Sequence, residues 1–317
     1  MIIVGAGLSG LIAASMLREE CSAIFEAQQS LPNNHHALLR FKTPVVGDAV
    51  GIPFRKVRVM KAIQPWRNPV ADALSYSMKA TGKAELRSIV SASGEVEERY
   101  IAPPDLIARL GAQVAGRVAF NQTLADAILA STERLPGAEP IISTIPMPAL
   151  MEALGWEDRP EFGYHSGEVI TVDLPKDLVD VCATVYLPDP QTQPYRASIT
   201  DNRLIIEISG VDPRIVDVDG AIFESLKALG VLSKRMLEVC KRDYQRKQMT
   251  YAKIKPIDEG LRRRFVMWAS EAHNVYSLGR FATWRPGLLL DDIVNDVRVI
   301  QRLVSNRAET YAHKMKG

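Results

Sequence analysis

Cysteine is nearly absent: Cys21, Cys182 and Cys240 are the only three in 317 residues. An odd number at wide spacing offers neither a disulfide framework nor a C-x-x-C metal or redox pair. A reducing, cytoplasmic setting is the expectation. Histidine is also scarce. His35 and His36 adjoin, while His165, His273 and His313 stand apart, so metal-spaced His/Cys clusters are missing and no metal is expected. H-E-x-x-H, G-x-S-x-G and the P-loop do not occur, which argues against zinc-protease, serine-hydrolase and P-loop classes. No apolar run approaches the ~18 residues that span a bilayer. The apolar opening follows Met1 without a basic leader, and it reads as a buried strand rather than a signal peptide. Internal repeats and low-complexity tracts are missing too.

What is present fits a globular chain of about two domains, with 47% hydrophobic and 24% charged residues. The net charge of +2 hides an uneven distribution. Residues 234–264 hold eleven Lys/Arg against four Asp/Glu. Residues 40–67 hold seven (Arg40, Lys42, Arg55, Lys56, Arg58, Lys61, Arg67) against Asp48. Basic clusters attract phosphates, on a nucleotide or on a polynucleotide. The alternative is a solvated face.

The first fourteen residues, Met1 to Ala14, carry G-x-G-x-x-G at Gly5, Gly7 and Gly10, and Glu26 follows sixteen residues after Gly10. This spacing predicts strand, glycine turn, helix, second strand and a terminal acid. Gly5 permits the tight turn, Gly7 lets backbone approach a pyrophosphate, and Gly10 lets helix pack on strand. The helix start offers free N–H groups and a positive dipole end to phosphate. Glu26 can accept hydrogen bonds from a ribose. Dinucleotide binding is the reading.

Further along, Asn33-Asn34-His35-His36 leaves this unit as a loop. Residues 55–61 alternate as a strand with basic side chains on one face, and 68–80 read as helix. Residues 105–113 and 124–135 are helical in spacing, and 118–120 is a short strand. Residues 140–146 form a buried strand ending in a turn, followed by a helix over 148–154. Strands over 168–173, 182–187, 195–200 and 203–209 suggest a separate antiparallel sheet. Residues 219–244 read as largely helical, Arg262-Arg263-Arg264 as a solvated turn, 275–280 as a strand and 293–306 as a helix. Strand-turn units lie near both ends and in the middle. The nucleotide unit is therefore expected to be discontinuous, over 1–46, 105–155 and 265–317, with a substrate domain over 47–104 and 156–264.

Three segments together resemble one superfamily: the FAD-dependent amine oxidases, protoporphyrinogen oxidases and UDP-galactopyranose mutases. They are the glycine motif with Glu26, then Ile142-Ser143-Thr144-Ile145-Pro146-Met147-Pro148-Ala149-Leu150, then Leu278-Gly279-Arg280-Phe281-Ala282-Thr283-Trp284 with Leu290-Asp291-Asp292-Ile293-Val294. The chain resembles a compact, phage-type member. The resemblance implies an α/β fold, a Rossmann-like FAD-binding domain with an inserted mixed or antiparallel sheet plus helices. It implies FAD rather than NAD, since an NAD-only enzyme needs neither the second nor the third segment.

By that resemblance, Gly5, Gly7, Leu8, Ser9 and Gly10 approach the pyrophosphate, and Glu26 with Ala27 the adenosine ribose. Leu124 falls where the family contacts adenine through backbone. Thr144 and Pro146 lie near the flavin or its adenosine side, Gly279 and Arg280 beside the isoalloxazine and pyrophosphate, and Asp291, Asp292 and Ile293 begin a helix whose amides face the ribityl chain or the pyrimidine edge of the flavin. His36 to Thr43 is similar to the mutase segment that sets a histidine over the flavin, which makes His36 and Arg40 the catalytic candidates. The Gly-Pro that usually precedes that histidine is replaced here by Asn33-Asn34-His35. Tyr195 and Arg196, in strands similar to the mutase-like branch, and Trp284 in the third segment are the substrate candidates. Trp66, Trp156 and Trp268 are expected in the core.

The implied activity is oxidation of a C–N bond in an amine or amino-acid-like group. The sharper version places that amine on a nucleotide or a phage DNA base, with nucleic acid held by residues 40–67 and 234–264. One alternative is a mutase acting on a nucleotide sugar without net redox change. Another is a flavin-binding, non-catalytic subunit.

Overall fold

The computed structural model describes residues 1–31, 38–65, 68–86, 95–134, 139–175 and 181–316. The first third runs β1 (Ile2–Val4), α1 (Leu8–Leu17), β2 (Ala23–Glu26), β3 (Arg40–Phe41), α2 (Val45–Val50), β4 (Arg55–Ile63), α3 (Pro69–Thr81) and β5 (Glu95–Ile101). Next come α4 (Leu106–Gln113), β6 (Val118–Phe120), α5 (Leu124–Arg134), β7 (Ile141–Ser143) and α6 (Met147–Ala153). Then follow β8 (Tyr164–Asp173), β9 (Val181–Tyr186), β10 (Pro194–Asp201) and β11 (Arg203–Ser209). The chain closes with α7 (Val218–Ala228), α8 (Lys234–Arg242), β12 (Tyr244–Ile254), α9 (Glu259–His273), β13 (Val275–Ser277) and α10 (Ile293–Lys316).

Two sheets organise these elements. The first is parallel, in the order β13-β7-β1-β2-β6. Its inner strands β1, β2 and β7 are short, mostly apolar runs buried on both faces, as a helix-covered parallel sheet requires, while the edge strand β6 is half-buried. Ile3, Ile24 and Ile142 point toward α1, α4 and α10, against Leu11, Leu110 and Val297. Ile2, Val4 and Ile141 point the other way, toward Met147, Leu150 and Phe265 of α6 and α9. Trp156 and Trp268 pack in this second layer, with ring centroids 4.9 Å apart.

The second sheet is mixed, in the order β12-β8-β11-β10-β9-β4-β5-β3. β4 and β9 pair in parallel; its other neighbours are antiparallel. Side chains alternate between its faces with period two. Ile170, Val172, Ala183, Val185, Ala197, Ile199, Leu204 and Ile206 cover one face and pack on α7 and α8. The intervening residues, including Thr184, Tyr186, Arg196 and Glu207, turn to the other face, beside α3. The sheet thus has an apolar back and a polar front, and the front faces the candidate site.

Several expectations change. The helix over 219–244 is two helices, because the chain turns at Gly230 with φ 72°. Tyr244–Ile254 is a strand at the sheet edge, and its exposed charged side chains gave no apolar alternation to read. Arg262-Arg263-Arg264 is not a turn but part of α9, capped by Asp258 and anchored by Phe265 and Ala269. The basic residues of β4 do not share one face. Lys56 and Arg58 alternate with Arg55 and Lys61, and Lys56 pairs with Glu98 across the β4–β5 ladder. Among the described residues, no helix is long and apolar enough to cross a membrane, and no cluster could hold a metal.

Candidate functional site

The glycine loop leaves β1 at its carboxyl end. Gly5 adopts φ 95°, and its amide donates to the Phe25 carbonyl at 2.8 Å. A Cβ at Gly5 would overlap Thr144 Oγ1, and one at Gly10 would overlap the Gly5 carbonyl oxygen, both nearer than the 3.0 Å that real Cβ atoms keep. Gly7 differs: a Cβ there meets nothing within 4 Å. It is the N-cap of α1, without a side-chain cap, and the first helical turn carries no acid. The first backbone bond of the helix is Leu11 N–H to the Gly7 carbonyl, at 2.9 Å. The amides of Leu8, Ser9 and Gly10 precede it and lack intrahelical acceptors. Open space beside an uncapped helix start is a cradle for a diphosphate.

Glu26 ends β2 beside this loop. Its carboxylate accepts from the Ala6 amide at 2.6 Å and from the Gln28 amide at 2.9 Å, which fixes its orientation. Ala27 is exposed next to it. Leu124 opens α5 with its side chain in the core, so only its backbone is free to serve a ligand.

The second and third segments close on the first. The Thr144 amide and hydroxyl both donate to the Val4 carbonyl, at 2.8 and 2.9 Å. Pro146 caps α6, and the next amide, of Met147, donates to the Phe281 carbonyl at 2.9 Å. The Leu278 amide donates to the Ser143 carbonyl at 2.9 Å. Gly279, at φ 93°, passes so near α1 that a Cβ would lie 2.8 Å from Ser9 Oγ. Asp291 accepts from the Thr43 amide at 2.9 Å and hydroxyl at 3.1 Å, and Asp292 accepts from the Leu289 amide at 2.8 Å. Ile293 is buried behind them. Segments more than a hundred residues apart therefore meet at the carboxyl edge of the parallel sheet, where ligands of open α/β folds bind. The residues present fit a dinucleotide.

A cleft of about 630 Å³ lies between the polar front of the second sheet, α3 and the third segment. Eight basic side chains line it: Lys42, Lys61, Lys83, Arg99, Arg196, Lys253, Lys255 and Arg280. The acids in its lining are Glu85 and Glu97. Lys61 and Arg99 both pair with Glu97. At the floor, Glu207 accepts from the Tyr195 hydroxyl at 3.0 Å and from both nitrogen faces of Arg196, through Nη2 at 2.6 Å and through Nε. Burial would raise the Glu207 carboxyl, but the Arg196 charge beside it holds it below its ordinary value. Burial pushes the Tyr195 phenol well up. Lys253 Nζ sits 4.9 Å from the Tyr195 ring centroid. Burial lowers the Arg280 guanidinium, with Arg196 adding repulsion.

Not every candidate reaches this cleft. His36 lies outside the described residues. Arg40 is committed to the sheet. Nε donates to Thr200 Oγ1 at 2.7 Å, one terminal nitrogen to Thr184 Oγ1 at 2.8 Å, and the other to the Ala183 carbonyl at 3.0 Å and to the Ile199 carbonyl. It is a tie between β3, β9 and β10, and burial lowers it to about 10. Tyr195 is buried beneath the lining rather than exposed in it. Trp284 is buried as well, its indole donating to the Lys255 carbonyl at 2.9 Å and packing on Phe162 at 4.7 Å. Its φ of 46° is unusual for so large a side chain, and it holds the third segment in a tight turn. The basic residues of 234–264 are dispersed. Lys253 and Lys255 enter the cleft, Lys241 pairs with Asp219, Arg246 with Glu168, and Arg262 and Arg263 with Glu259. Sequence reasoning passed over Ser77 and His165, which line the cleft from α3 and β8. A lone serine and a lone histidine carry no spacing signal.

No protein-family model matches the chain, and no curated protein matches it. Solved structures do. Reduced UDP-galactopyranose mutase aligns with a TM-score of 0.63 at 14% identity, over 96% of this chain and 93% of that one. The tetrameric form of 2-methyl-3-hydroxypyridine-5-carboxylic acid oxygenase aligns at 0.54 and 13%, over 95% and 81%. PqsL, a probable FAD-dependent monooxygenase from Pseudomonas aeruginosa, aligns at 0.51 and 14%, over 96% and 86%. The fold is therefore the two-sheet α/β architecture that these proteins share.

Proposed function

We propose that the chain is an FAD-dependent oxidoreductase whose substrate is a phosphorylated, nucleotide-linked molecule. The glycine-loop amides would hold the FAD diphosphate, Glu26 the adenosine ribose, and Gly279, Arg280 and the start of α10 the flavin end. Bound FAD supplies the redox chemistry, and the protein orients the substrate and excludes water around it.

The observation that carries the substrate class is the cleft's charge: among the described residues, eight basic side chains stand against Glu85 and Glu97 in the lining and Glu207 at the floor, which leaves a basic excess after the Arg196–Glu207, Lys61–Glu97 and Arg99–Glu97 pairs are counted. A cationic amine entering alone meets like charge, so the field disfavours it. A phosphorylated group is attracted, and Arg and Lys suit phosphate oxygens. Oxidation of a C–N bond then applies to an amine carried on a nucleotide. The dispersal of the basic residues among ion pairs favours a small nucleotide-linked molecule over a polynucleotide.

A second reading is a mutase-like reaction on a nucleotide sugar. It is favoured by the mutase alignment, which spans nearly all of both chains.

The test is an anaerobic screen of the FAD-loaded protein against free amines, nucleotide-linked amines and nucleotide sugars. Flavin bleaching by a nucleotide-linked amine, with hydrogen peroxide formed in air, is the expected result. Isomerisation of a nucleotide sugar only after prior flavin reduction, without net redox change, supports the second reading. Bleaching by free amines alone overturns the substrate class. Purified protein that neither carries nor binds FAD overturns the whole assignment.

A further inference from the structure

α3 forms one wall of the cleft, through Tyr76, Ser77, Ala80 and Thr81, yet it is lightly held. Of its thirteen residues only Tyr76, Ser77 and Ala80 are buried. Tyr76 and Ala80 pack with Ile63, Tyr186 and Tyr195 in a small cluster of their own on the polar front of the second sheet. The polar ties include Ser209 Oγ, which donates to the Ala80 carbonyl at 3.0 Å. They also include Lys79 Nζ, which reaches the connection between β9 and β10. It donates to the Leu187 carbonyl at 3.1 Å, the Asp189 carbonyl at 2.7 Å and Thr192 Oγ1 at 2.7 Å.

The seam between α3 and the sheet leaves polar groups unpaid. Ser77 Oγ, on α3, and His165 Nε2, on β8, are buried and lack a hydrogen-bond partner among the described residues. A Cβ at Gly82, the C-cap of α3, would stand 2.7 Å from His165 Nε2, so that nitrogen abuts the end of the helix. Native proteins keep few such atoms, and each carries a desolvation cost that water would relieve. The Lys79 ammonium adds to that cost, because its three acceptors are neutral. The Asp189 carboxylate turns instead to the Gln191 amide, at 2.9 Å. Departure of α3 from the sheet would hydrate all three groups together.

We infer that α3 is a movable wall of the cleft, seated on the sheet front and latched to the β9–β10 connection by Lys79. Unseating it opens the cleft from that side, and reseating closes it. The titratable and charged groups on the sheet front beside α3 are His165 of β8, Tyr186 of β9, Tyr195 and Arg196 of β10 and Glu207 of β11, with Asp189 in the connection itself. Burial lowers the Lys79 ammonium to about 8, against the field of Asp189. Hydrated, it returns to its ordinary value of 10.5. Seated α3 therefore binds fewer protons than unseated α3 in the window between these values, and a rise in pH through that window favours the seated state.

The experiment is hydrogen exchange of the full chain with FAD present, at pH 7 and pH 9, corrected for the intrinsic pH dependence of exchange. Amides of α3 are expected to exchange at least about a hundredfold faster than those of β10 and β11, through local opening. That opening is expected to fall about tenfold from pH 7 to pH 9. Lys79→Met never carries the charge and Lys79→Arg never loses it, so both variants lose the pH effect. Continued protection of β10 and β11 reports intact folding; where one variant loses it, the other decides. Amides of α3 that exchange together with β10 and β11 overturn the movable wall. Wild-type opening that does not fall with pH, or that falls equally in the variants, overturns the latch. Loss of protection throughout the sheet in both variants overturns it as well, because Lys79 then holds the whole fold rather than one helix.

Discussion

Gly7 and Gly10 stand three residues apart in one motif, yet the structure assigns them opposite consequences on substitution. A Cβ at Gly7 enters open space, with nothing within 4 Å, at an ordinary φ of −70°. In the free protein, Gly7→Ala gains about 0.4–1 kcal/mol from a stiffer unfolded chain. It loses a similar amount as a poorer N-cap, so unliganded stability stays nearly unchanged. The new methyl group instead occupies the cradle. Displacing the diphosphate from two amides removes two charge-assisted hydrogen bonds at about 1.5 kcal/mol each, or roughly a hundredfold in FAD affinity. Gly10→Ala drives a methyl group into the Gly5 carbonyl, and neither backbone can yield without moving β1 or α1. The cost is about 3 kcal/mol of stability before any ligand is added. Differential scanning fluorimetry with and without FAD separates the effects. Gly7→Ala should melt with the wild type when free and gain little from FAD; Gly10→Ala should melt early in both conditions. Wild-type FAD affinity in Gly7→Ala, or an equal loss of free-state stability in both variants, would refute the cradle.

Glu26→Ala removes the acceptor of the Ala6 and Gln28 amides. It should weaken FAD binding by about tenfold, as fluorescence quenching measures, with about 1–2 kcal/mol of stability lost. Arg40→Met removes the guanidinium donor from the Thr200 hydroxyl, from two carbonyls and from the Thr184 hydroxyl, which keeps only its bond with Ser198. A urea midpoint lowered by about 3 kcal/mol with unchanged FAD affinity is expected; unchanged stability with lost turnover would restore Arg40 as a catalytic group. Hydrogen bonds from Arg262 and Arg263 lower Glu259 from 4.5 to about 2. A depressed carboxyl stabilises the fold above its unfolded value, and that contribution disappears as pH falls from about 4.5 toward 2. Glu259→Gln should flatten this acid limb in thermal melts and leave neutral stability little changed, since the group is exposed.

The parts of the site that depend on backbone conformation were legible. Gly5, Gly7, Gly10 and Glu26 each answer a local demand of turn, approach, packing or strand end, and local demands appear as spacing. The strands read at 140–146 and 275–280 and the apolar opening after Met1 are strands in the structure, over 141–143, 275–277 and 2–4. The exposed edge strand at 244–254 was missed because its side chains face solvent and lack alternation. The helix at 259–273 did carry a signal, with Leu261, Phe265, Trp268 and Ala269 at helical spacing behind Asp258, but three successive arginines masked it.

Sequence alone determined that a glycine turn, an acid at the end of the second strand and two further strand-turn units exist in this chain. Tertiary structure decided which side chains share a cavity. Arg40 was taken up by the sheet, Tyr195 and Trp284 were buried, and Ser77, His165 and Lys253 were brought to one wall. The reason is that a strand sets its side-chain faces by a period of two, whereas strand register and the seating of α3 choose the neighbours across the gap. Those choices are made by the whole core at once, and no short window of residues records them.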